Sequence, residues 1–345
     1  MRTIDLGIRK IGEGQPCFIA AEIGINHNGD MELAKKMIDA AVASGADAVK
    51  FQNYRTEDFL SDRSLMYTYE SQGESVTESQ YDMFKRCEIS VVQLQELCSY
   101  CASKGLIFFS TPTGESGIED LRDAGTLLLK NGSDYLTHLP LIRAMARSGL
   151  PTVLSTGMAI DEDITDAVNA FEEAGGKDLI LLHCTSSYPT PAEDVNLRKI
   201  TTLRNLFGYP VGLSDHSWGA IAAVGAVALG ACFVEKHFTL DKNLPGPDHA
   251  FSSDPAEFAE LVTQIRLMEK NLGHEQIGPT AAEEVSRINF RLSCVAAEDL
   301  PAGHIVRMDN IAFRRPGSGL PPKMADSLVG KVLESSLKKG DCFSA

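Results

Sequence analysis

Two short apolar runs in this chain end abruptly in polar residues with a histidine, Val-Gly-Leu-Ser-Asp-His at 211–216 and Val-Glu-Lys-His at 234–237. The segment between them, 219–229, is apolar and Ala-rich and reads as a helix. Strand, helix and strand in that order give two parallel strands whose ends lie side by side. His216 and His237 are then neighbours that can hold one divalent metal ion, a Lewis acid for a carbonyl. The alternative is a pair of strand-end histidines hydrogen-bonded to loops. Lysines end other apolar runs, at Lys50, Lys130 and Lys236. A Schiff base needs one desolvated lysine and no metal. Lysines from separate strands, with serines beside them and Arg315 elsewhere in the chain, suit a phosphate or carboxylate better. Each lysine taken singly could instead be the salt-bridge partner of Glu22 or Glu235.

Such residues need a frame that brings strand ends together. Apolar runs at 17–22, 48–52, 107–110, 126–130, 152–155, 179–183, 211–214 and 233–236 read as strands. Helical patterns fall at 31–44, 91–103, 116–124, 139–148, 161–174, 197–207, 220–229 and 255–269. Strands alternating with helices over about 250 residues predict an α/β fold of the TIM (β/α)8 barrel type. A doubly wound sheet is the alternative, but no Gly-rich dinucleotide turn follows the first strand. Every strand end is polar: Glu22; Lys50 and Gln52; Ser110 and Thr111; Lys130 and Ser133; Ser155 and Thr156; His183 and Thr185; Ser214, Asp215 and His216; Lys236 and His237. In a barrel that rim is where the active site is built. Residues 1–16 alternate apolar and polar and turn at Gly12–Gly14, predicting a hairpin that plugs the barrel from below. The barrel proper is expected over 17–272, with a polar insertion at 54–90. A charged linker follows at 273–289, then a small β-rich module at 290–345 that carries Arg315.

The apolar and charged fractions, 43% and 23%, are those of an ordinary globular protein. A formal charge of −15 argues against a nucleic-acid or anionic-membrane surface, so an anionic substrate needs a locally basic pocket. The start lacks the apolar core of a signal peptide, and no run is long enough to span a bilayer, so a cytoplasmic protein is expected. The eight cysteines are then read as free thiols, and the lone Cys98-x-x-Cys101 pair as structural.

At this point the residues resemble a family. Glu22-Ile-Gly-Ile-Asn-His27, Val49-Lys50-Phe-Gln52, Phe109-Ser-Thr111-Pro112, Leu154-Ser-Thr-Gly157, His183-Cys-Thr-Ser-Ser-Tyr188-Pro-Thr-Pro191, Gly212-Leu-Ser-Asp-His216, Glu235-Lys-His-Phe238 and Gly246-Pro-Asp248 are similar, in order, to the motifs of the sialic acid synthase family. Arg315-Pro-Gly is similar to that family's C-terminal antifreeze-like (SAF) domain. The resemblance covers nearly the whole chain. It implies a metal-dependent transferase that condenses phosphoenolpyruvate with an N-acylated amino hexose, giving a nine-carbon 2-keto-3-deoxy acid and phosphate. It implies a homodimer with a domain-swapped C-terminal domain. Carried over motif by motif, His216 and His237 would hold Mn²⁺ or Mg²⁺ at the open-chain sugar's aldehyde. Lys50, Lys130, Ser133, Ser155 and Ser214 match positions that hold phosphoenolpyruvate, and Glu22 matches an acid that steers proton or water chemistry. Gln52, Thr111, Tyr188 and Asp248 match other pocket positions, and Arg315 would reach the sugar in the partner subunit.

Two departures fall on the sugar side. The family's Gly-Ser-Gly-Glu is here Gly132-Ser133-Asp134-Tyr135, and an Asn usual two residues before the Tyr of Tyr-Pro-Thr-Pro is here Ser186. An N-acetylmannosamine-like sugar is therefore the first expectation. A di-N-acylated 6-deoxy hexose leading to a legionaminic-type acid is its alternative. Two wider alternatives stay open: a phosphoenolpyruvate aldol synthase making a shorter keto acid, and a non-catalytic sugar-binding protein.

Overall fold

The barrel strands expose almost nothing, because each is covered on both faces, by side chains inside the barrel and by helices outside. In the computed structural model, which describes residues 2–344, these are β1 (Phe18–Gly24), β2 (Ala48–Asn53), β3 (Ile107–Pro112), β4 (Leu129–Asn131), β5 (Thr152–Ser155), β6 (Leu179–Cys184), β7 (Val211–Asp215) and β8 (Phe233–His237). They pair in parallel in chain order and close, β8 against β1, into the expected barrel. The register sets polar residues level at one end. His237 lies opposite Glu22, Glu22 opposite Lys50, Gln52 opposite Thr111, and Ser214 opposite Glu235.

Outside lie α1 (Met31–Ala43), α2 (Val91–Ser103), α3 (Glu115–Ala124), α4 (Leu139–Arg147), α5 (Asp161–Glu173), α6 (Arg198–Phe207), α7 (Ile221–Ala228) and α8 (Pro255–Leu272). Local chemistry starts several of them. Asp30 accepts from the backbone N–H groups of Glu32 and Leu33, and Ser90 and Asp254 form capping boxes with Gln93 and Glu257. Their apolar faces pack on the outside of the sheet, as Ala34, Met37, Ile38 and Ala41 of α1 do.

The floor of the barrel is filled from the chain's start. Ile4, Leu6 and Ile11 form one cluster with the inward-facing Phe18, Phe109 and Phe233. They belong to a hairpin of Thr3–Asp5 and Lys10–Gly12. Its turn is not at Gly12–Gly14, as the sequence suggested, but at 6–9: Leu6 N–H donates to the Arg9 carbonyl (2.8 Å) and the Asp5 carboxylate accepts from Gly7 N–H (2.8 Å). The fourth strand is also shorter than its apolar run, since the buried Thr126 hydroxyl turns back to bond the Phe108 and Leu128 carbonyls.

The polar insertion at 54–90 is an ordered structure. It holds a helix (Thr56–Phe59), an antiparallel hairpin (Met66–Ser71 with Glu74–Ser79) and a second helix (Gln80–Arg86). The hairpin turns on Gln72-Gly73, both with positive φ (56° and 77°), the pattern of a type I′ turn.

The chain divides between Gly273 and His274 into two compact units. The second, taken by itself, pairs Ser293–Ala296 antiparallel with Ile311–Arg314 around a core of Cys294, Leu300, Val306, Ile311 and Phe343. Among the described residues all eight cysteines are free, and no helix is long and apolar enough to cross a membrane.

Candidate active site

A cavity of about 530 Å³ opens at the C-terminal end of the barrel strands. Strand alternation decides which side chains reach it. Glu22 of β1, Lys50 and Gln52 of β2, Thr111 of β3, Lys130 of β4 and Ser155 of β5 line it. So do Ser214 and His216 at the end of β7, and Glu235 and His237 of β8. The loops after the strands add Ser133, Asp134 and Tyr135 after β4, Ser186 and Tyr188 after β6, and Asp248 after β8. Every barrel residue to which the family motifs gave a site role therefore lines one volume. Arg315 lies in the second unit, where its Nε donates to the Phe290 carbonyl (3.1 Å) and its guanidinium covers the Phe290 ring.

Two strand-end residues behave otherwise. Lys236 falls between Glu235 and His237, so it points away from the cavity. Its Nζ donates to Asp215 Oδ2 (2.7 Å) and to the Ser217 carbonyl (2.6 Å). The expected lysine cluster is thus a pair, and Lys236 takes the salt-bridge role. His183 likewise turns from the cavity to the Val195 carbonyl.

Lys50 and Lys130 are both buried, at 5% and 2% exposure, so their charges must be met within the site. Lys50 Nζ stands 2.8 Å from Glu22 Oε1 and donates to Thr111 Oγ1 (3.3 Å). Lys130 Nζ donates to Ser155 Oγ (2.7 Å) and stands 3.5 Å from Glu235 Oε1, which also accepts from the Ser214 hydroxyl (3.0 Å). The two carboxylates are driven apart. Burial pushes Glu22 up and the Glu235 charge adds to that, against the pull of Lys50. Burial acts on Glu235 too, but Lys130 and Lys50 outweigh it and hold it below the usual carboxylate range. One carboxyl is thus suited to carry a proton beside one that stays ionised.

His216 and His237 face each other with ring centroids 5.4 Å apart. His216 Nδ1 is tied to the Thr185 carbonyl (2.8 Å), which leaves Nε2 as its free donor atom. His237 Nδ1 is buried without a hydrogen-bond partner, 3.9 Å from Asp248 Oδ2. Burial first, then His216 and the lysines, holds His237 well below its ordinary value; burial lowers His216 too, but its contacts with Cys184 and the Thr185 carbonyl outweigh it and raise that imidazole. Among the described residues no cluster of three or more His, Cys, Asp or Glu stands ready for an ion. The pair therefore fits a cation that takes two protein nitrogens and completes its sphere with water and substrate oxygens. Tyr188 packs on His216 and Phe251 on His237 (centroids 4.0 and 5.0 Å), walling one side of the pair with rings.

Gly24 marks how tight the site is. Its φ is +53°, the ladder shifts register there, and a Cβ would lie 3.0 Å from Glu22 Oε1 and 3.4 Å from Gln52 Nε2. Gly24→Ala is expected to lower turnover about ten- to hundredfold through displacement of these two groups. Steady-state kinetics beside a melting curve checks this, and unchanged kinetics in the folded variant would show the crowding to be harmless.

Sequence reasoning missed several lining residues. Glu235 was visible only as a possible salt-bridge partner, although it has the same strand parity as His237. Tyr54, Phe59, Tyr67, Met83 and Phe84 come from the insertion, whose polarity hid them. The available signal was aromatic residues scattered through a stretch otherwise rich in Ser, Glu and Asp.

With this geometry in place, the chain can be set against known proteins. Residues 37–277 match the NeuB family and residues 293–345 the SAF domain. The chain is 38% identical over 338 residues to the N,N'-diacetyllegionaminic acid synthase of Legionella pneumophila, covering 97% of this chain and 95% of that protein. It is 36% identical over 335 residues to the human N-acetylneuraminate-9-phosphate synthase, covering 96% and 93%. Among solved structures, an N-acetylneuraminic acid (sialic acid) synthetase from Leptospira borgpetersenii, in complex with citrate, superposes with a TM-score of 0.75 at 37% identity, covering 83% of this chain and 95% of that one.

Proposed function

This chain belongs to the NeuB family, and from that premise we propose that it is a nonulosonic acid synthase. It joins phosphoenolpyruvate to the open-chain aldehyde of an N-acylated amino hexose and releases a nine-carbon 2-keto-3-deoxy acid and phosphate. One observation carries this reading: two buried lysines and two facing histidines share a single cavity. Lys50 and Lys130 meet the carboxylate and phosphate of phosphoenolpyruvate, helped by Ser133, Ser155 and Ser214. His216 and His237 would hold Mn²⁺ or Mg²⁺, which when bound polarises the aldehyde oxygen. C3 of the enol attacks the aldehyde carbon, and the aldehyde oxygen becomes a hydroxyl. Water adds at C2, and departure of phosphate leaves the ketone. Glu22, with its raised carboxyl beside C2 and C3, handles the proton of that water. Gln52, Asp134, Tyr135, Ser186, Tyr188 and Asp248 orient the sugar.

The test is phosphate release from phosphoenolpyruvate with N-acetylmannosamine, with a 2,4-diacetamido-6-deoxy hexose and with arabinose 5-phosphate, each with and without added Mn²⁺. Release with either amino sugar supports the reading. Release with arabinose 5-phosphate alone assigns a shorter keto acid. No release with any sugar, in protein shown to bind the amino sugar, returns the chain to the class of sugar-binding proteins.

The protein is further proposed to act as a homodimer in which Arg315 of one subunit completes the barrel of the other. Mixing an inactive Arg315→Ala protein with an inactive His216→Ala protein is then expected to restore activity, since one barrel of each heterodimer keeps both groups. If exchange between dimers is demonstrated and activity stays absent, the sites are not shared.

A further inference from the structure

Asp248 reaches the cavity from the loop after β8, and the proposed reaction asks it to orient the sugar. That requires the loop to hold its carboxylate in place. The two ends of the loop are fixed by backbone pairing. Ser253 N–H donates to the His237 carbonyl (2.8 Å) and Thr239 N–H to the Ser253 carbonyl (3.0 Å). Those bonds close the loop without deciding where its middle lies. Side chains from elsewhere take part in that. Asn28 Nδ2 donates to the Pro245 carbonyl (2.7 Å) and stands 3.3 Å from His249 Nε2, while Ser71 Oγ accepts from Gly246 N–H (3.2 Å). His249 is in turn tied through Nδ1 to the Thr239 hydroxyl (2.7 Å).

Asp248 itself is reached from Asn26, in the loop after β1. Both N–H bonds of the Asn26 amide are used, one on the Phe238 carbonyl (2.9 Å) and one on Ser252 Oγ (3.0 Å). The Ser252 hydroxyl, accepting there, donates its own proton to the Asp248 carbonyl (2.5 Å). An amide N–H cannot accept and a carbonyl cannot donate, so the relay runs one way, from Asn26 through Ser252 to Asp248. Asn26 and Ser252 are buried, at 1% and 0% exposure, and neither lines the cavity. The Asn26 Oδ1 atom is buried without a hydrogen-bond partner. An apolar side chain of the same shape would avoid that cost. What the amide gives in return is its two donors.

Resting on the synthase reading above, we infer that Asn26 and Ser252 are positioning residues for the sugar, which they act on through the backbone of Asp248 without touching substrate. The backbone pairing at 237–239 and 253 keeps the loop closed when the relay is cut. What is lost is the placement of one carboxylate. The groups proposed for phosphoenolpyruvate stand on β2, β4, β5 and β7 and in the loop after β4, so the effect falls on the sugar.

The experiment follows phosphate release by the full-length protein with N-acetylmannosamine and with a 2,4-diacetamido-6-deoxy hexose, taking whichever the wild type turns over. Ser252→Ala is expected to lower kcat/KM for that sugar about tenfold, while the KM for phosphoenolpyruvate moves less than about twofold. Asn26→Leu, which keeps the shape but neither donor, is expected to lose at least as much. Made on top of Asp248→Ala, the Ser252→Ala change is expected to cost less than about twofold, because the group it acts through is gone. A residue that only supports the fold would cost the same on both backgrounds. That equality overturns the inference while leaving the synthase reading intact, as does the absence of any loss in Ser252→Ala or Asn26→Leu, or a matching rise in KM for both substrates. If Ser252→Ala does not fold, Ser252→Cys, of similar size with a weak donor, goes through the same cycle to the same outcomes. Phosphate release with neither amino sugar in the wild type refutes the synthase reading and this inference with it.

Discussion

Phosphate release is expected to fall on the order of a thousandfold or more when either His216 or His237 is changed to Ala, and to fall comparably when the wild-type protein is treated with a strong chelator. The two treatments together separate the alternatives for these residues. Histidines that merely pin loops would, on substitution, lower the melting temperature, and a chelator would do nothing. The geometry favours the other outcome. Only Nδ1 of His216 has a loop partner, the Thr185 carbonyl, and Nδ1 of His237 has none. Replacing His237 therefore removes no hydrogen bond from the fold and relieves a buried polar atom of its cost. Its loss of activity should come with little loss of stability, whereas His216→Ala loses the Thr185 contact as well. Activity that returns to chelated protein on addition of Mn²⁺ or Mg²⁺ would complete the case. Full activity after exhaustive chelation would remove the metal from the mechanism.

Lys130→Met and Lys50→Met are expected to raise the KM for phosphoenolpyruvate far more than the KM for the sugar. Truncating one member of a buried, hydrogen-bonded charge pair costs about 2–5 kcal/mol, or some thirty- to several-thousandfold in binding. Here the loss is compounded. For Lys130 the carboxylate left behind, Glu235, faces the arriving anion without its counterion, whereas Glu22, relieved of the pull of Lys50, rises further and takes up a proton. The orphaned Glu235 also strains the fold, so stability has to be read separately. A second change does this. Glu235→Gln placed on top of Lys130→Met removes the unpaired charge and is expected to recover melting temperature without recovering phosphoenolpyruvate affinity. Equal effects on both substrates, or affinity that returns with stability, would make these lysines structural.

Most of the barrel and its rim could be read from the sequence because parallel strands buried on both faces are continuous apolar runs, and each run here breaks off in polar residues. What could not be read followed from features that leave no such mark. Lys236 ends an apolar run as Lys50 and Lys130 do, but it neighbours His237 on the same strand, and alternation sends adjacent residues to opposite faces. Granting His237 to the cavity excludes Lys236, an inference available from spacing alone. The N-terminal turn was misplaced because Gly12 and Gly14 are the stronger turn signal, while Asp5 closes the actual turn through its own side chain. The insertion was opaque for a different reason. Its hairpin is exposed along most of both strands, so it carries no hydrophobic alternation, and its apolar residues meet only once it folds over the cavity. Arg315 could be read as functional only from resemblance, since its own unit occupies it with Phe290.

The outward-facing Lys236–Asp215 pair has a bearing on which ions the protein can use. It bolts the last turns of β7 and β8 together one residue before each histidine, and it does so with protein atoms alone. The gap between the imidazoles is thus set when the chain folds, not when a cation arrives, so little ordering remains to be met by binding. A rigid two-pronged seat with its remaining positions left to solvent exerts little choice among octahedral cations of similar size. On the proposed reading, the ion in residence would then be decided by what the surroundings supply, and exchanging one for another would alter the speed of turnover while the shape of the protein stays as it was.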